Sequence, residues 1–325
     1  MRVLMLALAL CVVAAEVLAE ESAADYPSRP VTFVVPFAPG GSTGLIARII
    51  GQKLEQRLGK PFVIDHRAGG GGVIGVTQVA HGTPDGYTIM MASSTALAIN
   101  PNVRKSLPYD PRTDVTPIAM IARMPYVLVV NPDLPVKSVS DLVKLAKDKP
   151  GQLSFASVGP GTIHHLNAEI LKSTFGLDVV HVPYKGTSPA LQDVVGGHVQ
   201  FMFADAPPAK PLIESGKVRA LGITTLERLP ALPDLRPLAE VGVPGFNTAS
   251  WHSVSTAAGV PKDIVDKLAG EIRAVMSERD VQELLSNEGA IPQISPPPAE
   301  FKKFVDGEIV RWGALVEKAG IAHSQ

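Results

Sequence analysis

The loop over residues 36–43, with the sequence PFAPGGST, combines residue types that bind anions through the backbone. The β-branched and aromatic run of residues 31–35 predicts a buried strand before it, and the apolar spacing over residues 45–58 predicts a helix after it. Two glycines let a ligand approach the main chain, and Ser42 or Thr43 is placed to cap the helix. Because the loop contains no lysine or arginine, it predicts an anion site made of backbone amides at a helix N-terminus.

A second loop repeats this arrangement in the middle of the chain. Residues 153–157 predict a strand and residues 163–175 predict a helix. Between them lies VGPGT, residues 158–162, with Thr162 placed to cap the helix. Two such junctions predict two lobes that each present a helix N-terminus to one small molecule with an anionic group.

The first loop also contains a formal nucleophile elbow of serine hydrolases, because residues 40–44 read GGSTG and match G-x-S-x-G. Asp205 and His252 follow Ser42 in the chain order of that class. However, no earlier strand of the mature chain exists to supply an oxyanion-hole loop, and Ala38 and Pro39 lie between the strand and the turn, where an elbow needs the two joined directly. A secreted α/β serine hydrolase that uses Ser42 is therefore the alternative to a binding protein.

Two further motifs suggest cofactor or metal chemistry only weakly. Residues 159–164 resemble a dinucleotide fingerprint, but His164 stands where the third glycine is needed for close helix packing. The pair of His164 and His165, with Glu169 one turn later, suggests a metal site. A histidine at a helix start that is bonded to local carbonyls is the commoner arrangement. We therefore expect no cofactor and no metal.

Charge and composition restrict the class of partner. The chain has 325 residues with a net charge of −1 at pH 7 and no run of lysine or arginine, which argues against nucleic acid or an anionic membrane surface as a partner. Aromatic residues make up only 5% of the chain, too few to suggest a stacking platform for bases or sugars. Alternating strands and helices joined at glycines and prolines predict an α/β protein, and the length suits two lobes.

Residues 1–19 predict a signal peptide. A positive residue precedes the apolar run of residues 3–15, and Ala19 is a small residue at a cleavage site, although cleavage as late as residue 24 also fits. We therefore expect export to the periplasm. The single cysteine, Cys11, lies in this segment, so we expect neither a disulfide nor thiol chemistry in the mature chain.

The order of the predicted elements places two chain crossings between the lobes. Residues 118–131 predict one long strand that passes from the first lobe into the second, and residues 248–257 predict a strand that crosses back. The first lobe is therefore assigned residues 25–125 and 251–325, and the second lobe residues 126–250. This organisation predicts a hinge-closing, two-lobed α/β fold with its ligand cleft between the lobes.

Polar residues at strand ends complete the candidate site. Ser94 and Thr95 follow a predicted strand, at the edge where open α/β sheets bind ligands. Asp205 ends another strand, where it either accepts a hydrogen bond from the ligand or caps the next helix, and Tyr184 either lines the cleft or packs against a turn. The candidate ligand-binding residues are Phe37, Pro39, Gly40, Gly41, Ser42, Thr43, Ser94, Thr95, Ser157, Gly161, Thr162, His164, Tyr184 and Asp205.

Motifs from residue 26 to the C-terminus resemble those of one family. They are YPSRP at residues 26–30, DHRAGGGG at 65–72, PDGYT at 84–88, GPGTIHHL at 159–166 and VPYKG at 182–186. Their order and spacing are similar to those of the extracytoplasmic solute receptors of tripartite tricarboxylate transporters, the Bug family.

This resemblance implies a two-lobed fold of the type II-like periplasmic binding protein kind, which closes on a small carboxylate and delivers it to a two-component membrane permease. In the family, the loops that match residues 37–43 and 157–164 bind a carboxylate through backbone amides, hydroxyls and ordered water. Gly44 departs from the family pattern, which usually has Asp there, so the resemblance indicates the binding mode rather than the ligand. We expect a monomer that binds a di- or tricarboxylate or an aromatic acid.

Overall fold

The computed structural model describes residues 23–324, which form two α/β lobes that are each built on a separate sheet. The predicted signal peptide, residues 1–19, lies outside the described residues. We call the part around the six-stranded sheet the first lobe and the part around the five-stranded sheet the second lobe. The α/β class and the two-lobed architecture predicted from the sequence are confirmed.

The strands and helices alternate along most of the chain. The strands are β1 (Val31–Val35), β2 (Phe62–His66), β3 (Thr88–Ser93), β4 (Val115–Met124), β5 (Tyr126–Val130), β6 (Ser154–Ser157), β7 (Val180–Pro183), β8 (Phe201–Asp205), β9 (Arg219–Ile223), β10 (Ser250–Ala257) and β11 (Ile291–Pro292). The α-helices are α1 (Ser42–Leu58), α2 (Val73–Ala80), α3 (Asn100–Val103), α4 (Val139–Asp148), α5 (Ile163–Phe175), α6 (Thr187–Val195), α7 (Ala206–Glu214), α8 (Lys262–Ser277), α9 (Arg279–Asn287) and α10 (Pro298–Lys318).

Both sheets are mixed, and their central strands are buried on both faces. The first sheet has the order β11-β4-β10-β3-β1-β2, with β10 antiparallel to both of its neighbours, and the second has the order β7-β6-β8-β5-β9. Every residue of β5 and of β10 is buried. Such strands read as continuous apolar or small-residue runs rather than as alternating ones, because helices cover both faces.

Helical periodicity located the C-terminal helices well. Apolar residues at helical spacing predict helices over residues 262–276, 281–287 and 298–319, and these correspond closely to α8, α9 and α10. The helical stretch over residues 95–103, which begins as a π-helix at Thr95–Ile99 and continues as α3, is not predicted from the sequence. This short segment is apolar and entirely buried up to Ile99, so it lacks the polar face that makes an amphipathic helix recognisable.

The prediction of one strand over residues 118–131 is wrong. The chain forms β4 in the first sheet and β5 in the second, and Pro125 separates them. Proline has no backbone N–H to donate to a neighbouring strand, so a ladder ends readily there. The carbonyl of Pro125 instead accepts a hydrogen bond from the amide of Ala206. The first crossing is therefore a strand-to-strand junction rather than a continuous strand.

The second crossing lies directly beside the first, and Thr224 joins the two. The side chain of Thr224 accepts from the Tyr126 amide at 3.0 Å and donates to the Thr248 carbonyl at 2.7 Å. Its backbone bonds to the same two residues, because its N–H donates to Tyr126 and its carbonyl accepts from Thr248. Thr224 is fully buried, so both connections between the lobes share one set of hydrogen bonds.

The predicted side-chain caps at the two loop junctions are wrong. Helix α1 begins at Ser42 with Gly41 in the N-cap position, and neither Ser42 nor Thr43 caps it. Thr162 is the N-cap residue of α5, but its hydroxyl donates to the carbonyl of Gly159 rather than capping the helix. In contrast, Ser138 caps α4 by accepting from the amide of Asp141. The helices at the two loops therefore begin without the side-chain bond that α4 has.

Within residues 23–324, no helix combines the length and the apolar character needed to cross a membrane.

Candidate functional site

A small cavity lies between the lobes, where the N-termini of α1 and α5 meet the carboxyl ends of several strands. Its volume is about 20 Å³, which is close to the space needed for one water molecule. The residues that line it are Phe37, Gly41, Ser42, Thr43, Ser93, Thr95, Tyr126, Val158, His164, Thr187, Asp205 and His252. Most of these side chains are polar, so the cavity is a site where hydrogen bonds converge.

The first loop brings the first lobe into direct contact with the second. Gly40 has a φ of +89°, and a Cβ atom added there would lie 2.9 Å from the Cβ of Ser188. Only glycine fits this left-handed conformation and this close approach. The amide of Ala38 donates to the carbonyl of Lys185, which adds a backbone bond across the same seam.

The second loop is held in shape by its own hydroxyls. Ser157 Oγ accepts from the amide of Gly159 at 3.0 Å and lies 2.6 Å from His181 Nε2. Gly159 packs against the backbone of Gly71 in the first lobe, where an added Cβ would lie 3.1 Å from the Gly71 nitrogen. These contacts fix the path of residues 157–162, which leads into α5 beside the cavity.

Asp205 is the polar centre of the cavity. It is buried, and its Oδ1 accepts from Ser42 Oγ at 2.9 Å. Its Oδ2 accepts from the hydroxyl of Thr187 and lies 3.2 Å from Nε2 of His164. Burial alone would raise the pKa of Asp205, but the charge of His164 and the hydrogen bonds outweigh burial and hold the pKa well below its usual range. Asp205 is therefore an ionised carboxylate at neutral pH.

Two neighbouring titratable side chains stay neutral. Burial lowers the pKa of His252 to about 4, against the opposing effect of Asp205. Burial also raises the pKa of Tyr126 well above its usual range, with the charge of Asp205 adding to the shift. The ring of Tyr126 packs edge-on against the ring of His164, with 4.9 Å between their centroids. At neutral pH the imidazole of His252 and the phenol of Tyr126 thus offer hydrogen bonds but no charge.

The contacts do not support the serine hydrolase alternative. Ser42 donates directly to Asp205, whereas Nε2 of His252 lies 3.1 Å from the hydroxyl of Thr43. A hydrolase needs the histidine between the serine and the carboxylate, so that it can take the serine proton. His252 Nδ1 has no hydrogen-bond partner among the described residues, so no carboxylate orients this ring either.

Several buried polar groups at the cavity lack partners within the described part of the chain. These are Ser93 Oγ, His164 Nδ1 and His252 Nδ1. The first amides of α1 add to them, because no side chain caps this helix, whereas the amide of Ile163 at the start of α5 donates to Thr95 Oγ1 of the first lobe at 3.4 Å. Buried polar groups normally have partners, so this concentration of free donors and acceptors makes the cavity the candidate site for a polar ligand.

The cavity includes seven of the fourteen candidate residues predicted from the sequence: Phe37, Gly41, Ser42, Thr43, Thr95, His164 and Asp205. The other seven do not line it. Pro39 and Gly40 are exposed beside it, while Ser157, Gly161 and Thr162 form the second loop.

The remaining two candidates have partners elsewhere. Ser94 Oγ is hydrogen-bonded to Ser250 Oγ, and the hydroxyl of Tyr184 donates to Asp193. The bond to Asp193 favours the interpretation in which Tyr184 packs against a turn over the one in which it lines the cleft.

Four lining residues are not predicted from the sequence, namely Ser93, Tyr126, Val158 and Thr187, and His252 is predicted only as the base of the hydrolase alternative. Thr187 follows a glycine and opens α6, so its position resembles that of Ser42 in the first loop. That repetition was a usable signal. Tyr126 had none, because it lies in an apolar run whose strand register becomes visible only in the folded sheet.

The histidine pair at the start of α5 does not form a metal site. His164 faces Asp205, whereas Nε2 of His165 lies 3.5 Å from Glu169 on another side of the helix. Among residues 23–324, no group of three or more His, Cys, Asp or Glu side chains has an arrangement that could hold a metal ion.

Comparisons with known proteins agree with this geometry. The model of the tripartite tricarboxylate transporter family receptor matches residues 46–321. The structure of Rpa4515 from R. palustris with adipate is 39% identical, covers 92% of this chain and 99% of that chain, and has a TM-score of 0.88. The periplasmic binding protein BugD is 34% identical over 91% of this chain and 99% of its own, with a TM-score of 0.87.

A third solved structure carries a different ligand. MatC from Rhodopseudomonas palustris with bound malate is 33% identical, covers 90% of this chain and 100% of that chain, and has a TM-score of 0.84. The solved structures of Rpa4515 and MatC thus contain small carboxylates, one without and one with a hydroxyl group.

Proposed function

This chain belongs to the tripartite tricarboxylate transporter receptor family, and we propose that it is a periplasmic receptor that encloses a small carboxylate between its lobes and delivers it to a membrane permease. The observation that carries the proposal is the convergence of two helix N-termini without side-chain caps on one polar cavity. Each such terminus presents backbone amides and about half a positive charge. A carboxylate is the ligand group that both would stabilise.

The proposal requires the lobes to move. A cavity of about 20 Å³ is too small for a four- to six-carbon acid, so a ligand enters only when the lobes separate. We assign residues 25–125 and 251–325 to one moving body and residues 126–250 to the other. The paired crossings at Thr224 are short and lie side by side, as expected for a hinge.

Neither a catalytic step nor a cofactor is part of this proposal. The carboxylate of Asp205 is too weak a base to take the proton of Ser42, because its pKa is held well below the usual range, and no group on Nδ1 orients the His252 ring beside Thr43 among the described residues. We further propose that residues 1–19 direct export and that the receptor acts as a monomer. The closed surface formed by both lobes would then be what the permease recognises.

A binding screen with the purified protein tests the proposal. Thermal unfolding is measured with mono-, di- and tricarboxylates and with the corresponding neutral amides as controls. A carboxylate at a hundredfold excess over its Kd stabilises the folded state by about 2.7 kcal/mol, whereas its amide should have no effect. Isothermal titration calorimetry then gives the affinity, and NMR of the recovered ligand should show it chemically unchanged. Absence of any carboxylate effect, or a converted ligand, would overturn the proposal.

Solution scattering tests the closure. The radius of gyration of the protein should fall when the best carboxylate is added at saturation, because the ligand stabilises the closed state through contacts that only this state provides. A radius of gyration that stays fixed at saturation would contradict closure while leaving the binding function intact.

A further inference from the structure

The ionised carboxylate of Asp205 lies inside a cavity that is expected to bind anions. The residues that line this cavity include no lysine or arginine. Arg104, which lies near the same seam, donates to the carbonyl of Gly70 and is not part of the lining. Any cationic compensation near Asp205 must therefore come from His164, from the helix N-termini or from the ligand itself.

The charges near the cavity limit the charge of the ligand. Helices α1 and α5 each contribute about +0.5 at their N-termini, so together they balance one carboxylate. Asp205 contributes −1 at the N-terminus of α7 and beside that of α6, so these two termini and His164 already stabilise its charge. A second ligand carboxylate at this end of the cavity would be buried against the carboxylate of Asp205, with no lysine or arginine in the lining to pair with it, and burial of an unpaired charge is costly.

The partners of Asp205 show which hydrogen bond a ligand can replace. Thr187 and His164 lie in the second lobe together with Asp205, whereas Ser42 lies in the first lobe. When the lobes separate, Asp205 keeps its bonds to Thr187 and His164 but loses the bond from Ser42. Its Oδ1 then faces the open cleft as an ionised acceptor, next to the space that the ligand enters.

We propose that Asp205 determines specificity by selecting carboxylates that carry a hydrogen-bond donor, a hydroxyl or an ammonium group, at the end distant from the carboxylate. The carboxylate of the ligand binds at the N-termini of α1 and α5, and its donor replaces Ser42 on Oδ1 of Asp205. Dianionic dicarboxylates of the same length are disfavoured. This inference rests on the proposed function, since it presumes that the cleft binds carboxylates.

Ligands matched in length test the inference. Calorimetry at pH 7 compares succinate with 4-hydroxybutanoate and 4-aminobutanoate, and adipate with 6-hydroxyhexanoate and 6-aminohexanoate. At the length that binds best, the better donor-bearing acid should bind at least about tenfold more tightly than the diacid, because a hydrogen bond to a charged group replaces a repulsion. Equal or tighter binding of the diacid by the unmodified protein would overturn the inference.

The variant Asp205→Asn separates the effect of the negative charge of this side chain from the effect of its size. This change keeps the size of the side chain and removes the negative charge. The preference for the donor-bearing acid over the diacid should therefore fall below about threefold, and the diacid should bind the variant more tightly than it binds the unmodified protein. Asp133→Asn is the matched control, because it removes one negative charge from the exposed surface of the same lobe and should leave the preference unchanged. Retention of the full preference by Asp205→Asn would also overturn the inference.

The outcomes separate this inference from the proposed function. Carboxylates that bind without any preference for a donor refute the role of Asp205 and leave the receptor function intact. Failure of every acid, including the wider carboxylate screen, refutes the receptor function and the inference with it. Circular dichroism verifies that Asp205→Asn is folded, and the comparison of ligands on the unmodified protein decides the question even if it is not.

Discussion

At the scale of single residues, the cavity combines a carboxylate that stays ionised with a histidine that stays neutral. Both states follow from burial and from the immediate partners, because Asp205 has three hydrogen bonds and His252 has one. The prediction from sequence found Ser42, His164 and Asp205 but not how they pair. Ser42 and Asp205 are 163 positions apart in the chain, so no local pattern reveals that the hydroxyl bonds across the cleft rather than capping its own helix.

The neutral state of His252 predicts a dependence of stability on pH. Its pKa is about 4 in the folded protein and about 6.5 when unperturbed, so the unfolded chain binds more protons between these values. Stability should therefore fall as the pH is lowered from 6.5 to 4. Half-buried His181, whose pKa burial also lowers to about 4, acts in the same direction. The loss of folding stability that comes from the depressed pKa of Asp205 should begin only below about pH 4.

Differential scanning calorimetry across pH 4 to 7 measures this effect. His252→Gln keeps a polar group beside Thr43 but cannot take up a proton, so its melting temperature should depend less on pH than that of the unmodified protein. His198→Gln, on the second lobe and outside the cavity, is the control and should retain the full dependence. If the melting temperatures of the unmodified protein and of His252→Gln changed with pH in parallel, this would count against a buried, neutral His252.

At the scale of elements, periodicity identified most helices and strands because each buries a regular face. It failed where the signal was not local. Pro125 divides a continuous apolar run into strands of two sheets, and residues 95–103 form a buried helix without a polar face. The loop of residues 157–162 was recognised from its glycines, but its support from His181 was not, because that residue comes from the neighbouring strand β7.

Ser157→Ala tests how firmly this loop is held. The change removes the acceptor of the Gly159 amide and the partner of His181, and it leaves buried polar groups unpaired. The free energy of unfolding should fall by about 1–3 kcal/mol in urea titrations. Ser173→Ala, on the exposed side of α5, is the control and should change it by less than about 0.5 kcal/mol. A Ser157→Ala variant as stable as this control would show that the loop does not depend on the hydroxyl.

At the scale of the whole molecule, the loops of the two lobes approach closely through glycines and main chain, beside a continuous hydrophobic cluster that includes buried residues of both lobes. Gly161 illustrates this seam, since a Cβ atom added there would lie 3.1 Å from Val103 and 3.3 Å from Asn100 of the first lobe. Closure therefore depends on the absence of side chains at the contact points, and a single larger residue should hold the lobes apart.

At a carboxylate concentration that saturates the unmodified protein, Gly161→Val should keep the larger radius of gyration of the ligand-free state, and it should weaken carboxylate binding at least about tenfold, as determined by scattering and calorimetry. The matched control is Gly176→Val, in the same lobe. Gly176 has a similar positive φ of +65° but no atom within 4 Å of an added Cβ, so it introduces the backbone strain without the contact. Equal radii for the two variants would show that the seam does not govern closure.

The insertion of β10 between β3 and β4 also sets an order of events during folding. Strands β5 to β9 follow one another without interruption, so the second lobe can assemble from a continuous segment as soon as that segment is made. The first lobe has to wait, because β3 and β4 both require residues 250–257 as their neighbour. Such distant pairing slows folding and leaves two strand edges exposed in the meantime. A chain interrupted before residue 250 would thus contain one complete lobe and one divided sheet, prone to aggregate.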